Sequence, residues 1–207
     1  MSVHVKICGI TRCEDALLAE RLGAFAIGFV FYSGSPRYIE PEAAGAISRR
    51  LGPFIARIGV FVDEDPGTVR ATVRAAGLTA VQLHGSESPE YVRDLDGITV
   101  IKAFRVGEGF DPRVLTDYPV NLFLLDTAVK GVYGGTGKTF DWERALPCRK
   151  IGNIIIAGGL TAENVVEAVR ITDPWGVDVS GGVESSPGVK DEVKMRYFFQ
   201  RIQETFR

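Results

Sequence analysis

Short apolar runs alternate with longer amphipathic segments along the whole chain. Runs rich in Val, Ile, Leu and Phe predict eight β-strands, and each run is followed by a turn and a segment with helical period. The predicted strands begin near His4, Phe25, Ala56, Ala80, Thr99, Asn121, Asn153 and Gly176. Successive strands begin about 25 residues apart, a spacing that leaves room for a helical crossover, so the strands are predicted to be parallel.

Eight strand–helix units predict an α/β fold, a single-domain TIM (β/α)8 barrel that spans residues 1–207. A doubly wound open sheet is the alternative, and it would carry a GxGxxG turn after its first strand. The first turn here reads CGITR instead. Helix start signals support the barrel, because Pro41 and Pro66 suit first-turn positions and Thr11 with Glu14 forms a capping-box pattern.

Polar residues on each predicted strand occupy alternate positions, so they share one face of the strand. Side chains of a barrel strand alternate between the barrel axis and the surrounding helices. Apolar neighbours take the helix-facing positions, which leaves these polar residues facing the axis: His4, Lys6, Cys8, Gln82, His84, Lys102, Asp126, Asp178 and Ser180. Because branched apolar side chains normally fill a barrel, this set predicts an active-site floor. For Lys6, Gln82 and Asp178 the alternative is an internal hydrogen-bonded network that only specifies packing.

Two glycine turns follow the last two predicted strands. Gly158 and Gly159 come after strand seven, and Gly181 and Gly182 come after strand eight. TIM barrels commonly bind a phosphate group between these two loops, because glycine lets backbone N–H groups approach the ligand. The alternative is that each glycine only permits a tight turn. Two such turns at the two expected places favour a phosphate-binding site.

The segment GVYGGTGKT resembles a nucleotide-binding P-loop but does not match its pattern. Val132 stands where GxxxxGK[ST] requires glycine, and FDW rather than an amphipathic helix follows Thr139. We therefore expect this glycine-rich stretch to be a mobile loop over the mouth of the barrel.

Charge and composition narrow the class of partner. The 24 basic and 26 acidic side chains give a net charge of −2 without any basic run, which argues against nucleic acid and anionic membranes. No leader precedes VHVKICG, and the apolar runs are shorter than the ~20 residues of a membrane helix. We therefore expect a cytoplasmic protein that binds a small molecule. Three cysteines without paired spacing and two histidines predict free thiols and no metal site.

A series of motifs resembles one enzyme family. In chain order these motifs are KICGIT, SPRYI, IGVFVD, VQLHG, IKAF, LLDT, GGTGKTFDW, AGGL and VDVSGGVE. Together they resemble the phosphoribosylanthranilate isomerases from Lys6 to about Lys190. The resemblance implies a TIM barrel without cofactor or metal, and an Amadori rearrangement of a phosphorylated aminoribose in tryptophan biosynthesis. It leaves open whether the protein is a monomer or a homodimer.

The resemblance also implies roles for individual residues. Cys8 would be the general base and Asp126 the general acid, while Arg37 would hold the carboxylate of the anthranilate group. The remaining candidates for substrate binding are Gln82, His84 and Asp178. For Arg37 the alternative is a solvated loop charge, the usual state of an arginine after a turn.

The chemistry of the rearrangement supports an acid and a base on opposite walls. One proton must reach the ring oxygen, and another must leave the adjacent carbon. In an eight-strand ring, strands one and six are well separated, so Cys8 and Asp126 would face the ligand from nearly opposite sides. An unperturbed thiol has a pKa of about 8.5, and we expect inward-facing Lys6 and Lys102 to favour the thiolate.

Two other functions remain open. The first is another phosphosugar barrel, such as an epimerase or a histidine-pathway isomerase. Those families usually rely on metal-binding histidines or an aspartate pair at the strand ends, whereas this chain has two His and carries Cys8 at that position. The second is a non-catalytic protein that binds a phosphate ligand, against which the presence of both Cys8 and Asp126 argues.

Overall fold

A computed structural model describes residues 3–127 and 139–205. Within these residues, eight parallel strands close into a barrel in chain order. Their bounds are β1 His4–Cys8, β2 Ala26–Val30, β3 Ala56–Phe61, β4 Ala80–Leu83, β5 Val100–Val106, β6 Leu122–Thr127, β7 Asn153–Ile156 and β8 Gly176–Val179. Each strand begins within one residue of its predicted start, and the predicted TIM barrel is confirmed. The expected mobile loop at 131–139 lies outside the described residues except for Thr139.

Helices cover the outside of the barrel. The α-helices are α1 Cys13–Leu22, α2 Pro41–Ser48, α3 Pro66–Ala76, α4 Pro89–Asp94, α5 Val165–Thr172 and α6 Glu192–Thr205. Two crossovers carry 3₁₀ helices instead, at Pro112–Asp117 and at Trp142–Lys150. Pro147 lies inside the second of these, and because proline lacks an N–H group it does not support a regular α-helix there. No helix in the described ranges is long and apolar enough to cross a membrane.

Two of the helix start signals are confirmed and one is wrong. Pro41 and Pro66 stand in the first turns of α2 and α3. Thr11 does not cap α1, since Arg12 is the N-cap residue and makes no side-chain cap hydrogen bond. Instead the Thr11 hydroxyl donates to the carbonyl of Gly188 at 2.5 Å, so a tertiary contact competes with the local cap.

Apolar side chains pack in two layers, one between strands and helices and one inside the barrel. The inner layer contains small and branched residues, namely Ala26, Ile58, Ala80, Ile101, Ala103, Leu124, Ile155 and Ala157. Outward residues such as Val81, Leu83, Phe123 and Leu125 belong to the larger layer against the helices. The predicted parity therefore holds on β4 and β6, and the inner layer supports the residues that face the mouth.

Lys102 contradicts the predicted parity. Its neighbours Ile101 and Ala103 belong to the inner layer, so the Lys102 side chain points outward into the helix layer. There Nζ donates to Oε2 of Glu87 at 2.9 Å and to the carbonyl of Gly85 at 2.9 Å. The ion pair with Glu87 compensates the cost of removing the ammonium group from water, so Lys102 is stable in the helix layer without facing the cavity.

A short hairpin follows β8 and was not predicted. A 3₁₀ turn at Gly181–Val183 leads into β9 Glu184–Ser186, which pairs with β10 Val189–Lys190 in antiparallel orientation. Because the hairpin begins at the carboxyl end of β8, it brings Glu184 and Lys190 to the mouth of the barrel.

Candidate active site

A cavity of about 670 Å³ opens at the carboxyl ends of the strands. The proposed catalytic and binding residues all line it, namely Cys8, Arg37, Gln82, His84, Asp126, Gly158, Gly159, Asp178, Gly181 and Gly182. Of the wider polar set expected at the floor, His4, Lys6 and Lys102 do not line this cavity, and His4 lies instead at a second cavity with Phe25 and Trp175. Residues that are far apart in the chain meet here because all eight strands point their carboxyl ends toward the same face.

Cys8 is the last residue of β1 and is buried at the floor of this cavity. Burial raises the pKa of the Cys8 thiol, and the cations of Lys6 and Lys190 only partly oppose this effect. Lys6 does favour the thiolate as expected, but desolvation outweighs its attraction, so the net shift of the Cys8 pKa is upward. Lys102 is not among these cations, since it points away from the cavity.

Lys6, Gln82 and Asp178 form a buried hydrogen-bonded network beneath the cavity. The register of β1 and β8 places Lys6 beside Asp178, and Nζ donates to Asp178 Oδ2 and to Gln82 Oε1 at 2.8 Å each. Burial is the largest influence and lowers the pKa of Lys6, but the attraction of Asp178 and Cys8 and the hydrogen bonds to both together outweigh it, so the pKa is raised. Gln82 and Asp178 also line the cavity. They therefore belong both to the buried hydrogen-bonded network and to the floor of the candidate active site.

The same network orients His84 toward Asp126. Because Gln82 Oε1 accepts from Lys6, the Gln82 amide group faces Nδ1 of His84 at 2.9 Å and donates to it. In neutral His84 the proton then resides on Nε2, a tautomer that is assigned from the network. Nε2 lies 3.2 Å from Oδ2 of Asp126, while Oδ1 of Asp126 accepts from the backbone N–H of Thr127 at 2.7 Å. Asp126 lies on β6, and β7 and β8 separate it from Cys8 on β1.

The two glycine turns meet at one side of the cavity. Gly158 has φ +83°, and a Cβ there would lie 2.6 Å from Oδ1 of Asp126, so this turn requires glycine. A Cβ on Gly182 would overlap the carbonyl oxygen of Leu160, which shows how closely the loop after β8 packs on the loop after β7. Both turns, including Gly159 and Gly181, line the cavity as the phosphate prediction requires.

Some polar atoms in the site are buried without a partner. Oδ1 of Asp178 and Oγ of Ser180 make no hydrogen bond within residues 3–127 and 139–205. Because buried polar atoms are normally paired, these two atoms are exceptions within the described residues. No cluster of three His, Cys, Asp or Glu side chains in the described part of the chain could hold a metal ion.

Arg37 lies at the cavity mouth and is not a solvated loop charge. Only 14% of its side chain is exposed. Nε donates to Oε1 of Glu184 at 3.0 Å, and Nη2 donates to Oε2 at 2.7 Å. These hydrogen bonds raise the pKa of the Arg37 guanidinium despite its partial burial.

Glu184 and Lys190 are site residues that the sequence pattern does not predict. Lys190 donates to Oε1 of Glu184 at 2.7 Å and to the carbonyl of Cys8 at 2.5 Å. Burial tends to raise the pKa of Glu184, but its bond from Arg37 and the attraction of Lys190 lower it. Burial lowers the pKa of Lys190. The motif SGGVE contains Glu184, whereas no periodic signal marks Lys190.

The family model for N-(5'-phosphoribosyl)anthranilate (PRA) isomerase matches residues 5–201. The chain belongs to this isomerase family. The N-(5'-phosphoribosyl)anthranilate isomerase of Pelobacter propionicus is 48% identical over 203 residues, which cover 98% of this chain and 97% of the relative. The family predicted from the motifs is therefore confirmed, and with it the prediction of an isomerase of tryptophan biosynthesis.

Solved phosphoribosylanthranilate isomerases share this barrel. One, in complex with reduced 1-(o-carboxyphenylamino)-1-deoxyribulose 5-phosphate, is 43% identical with a TM-score of 0.87, covering 98% of this chain and 100% of that chain. Another, described as monomers generated from the dimeric isomerase of Thermotoga maritima, is 41% identical with a TM-score of 0.85 and the same coverage.

Proposed function

We propose that the protein rearranges N-(5'-phosphoribosyl)anthranilate to 1-(o-carboxyphenylamino)-1-deoxyribulose 5-phosphate, with Cys8 as general base and Asp126 as general acid. The observation that carries the proposal is the position of these two side chains on β1 and β6, at opposing walls of one cavity. The compound bound to a related isomerase, a reduced form of this product, supports a phosphosugar as the small-molecule partner. No cofactor is required, because the reaction only moves protons and electron pairs.

The proposed reaction has two proton steps. Asp126 protonates the ring oxygen of the sugar, the ring C–O bond breaks, and the nitrogen lone pair forms a C=N bond to the first carbon. The Cys8 thiolate then removes the proton from the second carbon, and the electron pair of that bond neutralises the nitrogen. The resulting enol becomes the ketone by proton transfer, so no atom is gained or lost.

Three groups of residues are proposed to hold the substrate. The turns with Gly158, Gly159, Gly181 and Gly182 would bind the phosphate through backbone N–H groups. Arg37 would bind the carboxylate of the anthranilate group. The sugar hydroxyls would contact residues that line the cavity floor between these ends, namely Gln82, His84 and Asp178.

A turnover assay tests the proposed function directly. Purified protein is incubated with N-(5'-phosphoribosyl)anthranilate, and formation of the ketose product is measured by chromatography, with the histidine-pathway aminoaldose as a comparison substrate. We expect the parent protein to convert the anthranilate compound and the Cys8→Ala variant to be strongly impaired. Tight binding of the reduced product without any turnover would refute the proposal in favour of a non-catalytic binding protein.

We further propose that the protein is a homodimer that associates through the amino-terminal face of the barrel. A related isomerase is described as dimeric. On this face Phe54, two residues before β3, is 97% exposed, and an apolar cavity of about 210 Å³ is lined by residues that include Phe25 and Trp175. Such exposed apolar surface is typical of association sites. Sedimentation of the parent as a monomer, or of a Phe54→Glu variant as an unchanged dimer, would contradict the proposal.

The remaining properties of the protein are proposals as well. We propose that residues 1–207 act as one domain, in the cytoplasm, and without a nucleic-acid or membrane partner. The net charge of −2 without a basic run supports the absence of electrostatic binding to such polyanions.

A further inference from the structure

Arg37, Glu184 and Lys190 form a compact charged cluster at the cavity mouth, which we call the carboxylate clamp. Glu184 accepts from Arg37 Nε and Nη2, from Lys190 Nζ, and from the backbone N–H of Gly188. Glu184 is only 7% exposed and Lys190 only 4%. Among the described residues, every group that bonds the Glu184 carboxylate is a donor, so the clamp holds Glu184 as an anion.

The clamp leaves one edge of the Arg37 guanidinium unused. Glu184 occupies the side edge formed by Nε and Nη2. Nη1 donates to no protein acceptor in the described part of the chain, so the end edge of Nη1 and Nη2 remains for a second, bidentate carboxylate. The stem of Arg37 is confined as well, because a Cβ on Gly9 would lie 2.6 Å from its Cδ.

The charge of the clamp still favours an anion. Arg37 and Lys190 carry one positive charge each and Glu184 one negative charge, which leaves a net charge of +1 on the three side chains. An Arg–Glu pair alone would be neutral. Lys190 therefore restores the attraction for a carboxylate that Glu184 would otherwise cancel.

We propose that Glu184 is a positioning residue that aims Arg37 at the aromatic carboxylate of the substrate, and that Lys190 keeps this arrangement cationic. The inference rests on the proposed function and adds the specificity-determining partner of Arg37. Lys190 also connects the clamp to the proposed general base, because it donates to the carbonyl of Cys8.

The Glu184→Gln variant distinguishes positioning from simple electrostatics, because the two explanations predict opposite changes in the affinity for the carboxylated substrate. The substitution removes a negative charge beside Arg37, so electrostatics alone predicts tighter binding of a carboxylate. Positioning predicts weaker binding, because the amide group of glutamine donates hydrogen bonds and would face the donors of Arg37 or Lys190. The two explanations therefore predict opposite changes in KM.

The experiment measures kcat and KM of the parent and the variant with N-(5'-phosphoribosyl)anthranilate and with the corresponding phosphoribosylaniline, which lacks the carboxylate. For Glu184→Gln we expect KM to rise about tenfold on the carboxylated substrate while KM on the aniline compound and kcat change little. Lys190→Met, which lowers the charge of the clamp to zero, should also raise KM on the carboxylated substrate.

Glu87→Gln is the matched control. Glu87 is also a buried glutamate paired with a lysine, but it lies outside the cavity with Lys102. We expect this control to lower stability without changing the preference for the carboxylated substrate. A lower or unchanged KM in Glu184→Gln, or an equal loss on both substrates, would overturn the inference. Lack of turnover by the parent would overturn the proposed function, and the inference with it.

Discussion

Replacement of Lys6 with methionine is expected to destabilise the barrel mainly through Asp178. The Lys6–Asp178 pair has an N···O distance of 2.8 Å and side chains only 4% and 8% exposed. Without Lys6, Oδ2 of Asp178 loses its ammonium partner, while Oδ1 already has none within the described residues. Removing one member of a buried ion pair costs roughly 3–5 kcal/mol, because an uncompensated charge stays buried.

A second variant tests whether the buried charge is the cause. In Lys6→Met/Asp178→Asn both charges are absent, so we expect the double variant to be at least about 1 kcal/mol more stable than the sum of the two single losses predicts. Urea unfolding followed by circular dichroism at pH 7 measures each free energy of unfolding. Glu192→Gln, which breaks the exposed pair with Arg196, is the control and should change stability little. A loss below about 1 kcal/mol in Lys6→Met, or strict additivity, would refute this reasoning.

Further predictions concern the catalytic pair and its pH dependence. Cys8→Ala should lower kcat by about 10²–10⁴-fold with the fold retained, and turnover within a few-fold of the parent would show that the thiol only packs. Asp126→Asn should lower kcat steeply with little change in KM, whereas a loss of affinity alone would place Asp126 in binding. Because burial raises the pKa of Cys8, alkylation of this thiol should rise with pH and reach half its maximum above the ordinary value of about 8.5, and kcat/KM should fall as pH decreases. A midpoint below that value in a mass-spectrometric alkylation series would contradict the raised pKa.

The local pattern of the sequence was sufficient for the barrel and for much of the candidate site. The starts of the strands could be predicted because an apolar run bounded by turn residues is a signal that neighbouring residues of the chain supply by themselves. Parity placed Cys8, Gln82 and Asp126 at the cavity for the same reason, since alternation along a strand decides which face each side chain takes. The glycine turns were likewise recognisable from their place after the last two strands.

Tertiary structure alone decided which charges meet. Lys102 alternates with Ile101 and Ala103 but takes the outward face, because Glu87, on the loop after β4, offers it a buried partner outside the barrel. Arg37 meets Glu184 because the hairpin after β8 folds back over the mouth, at a sequence separation of 147 residues. The periodicity of apolar residues indicates which positions are buried. The free energy of a buried charge, by contrast, depends on a partner that a distant segment of the chain supplies. For that reason the sequence by itself determined the architecture and the position of the site, and only the folded chain determined the ion pairs that tune it.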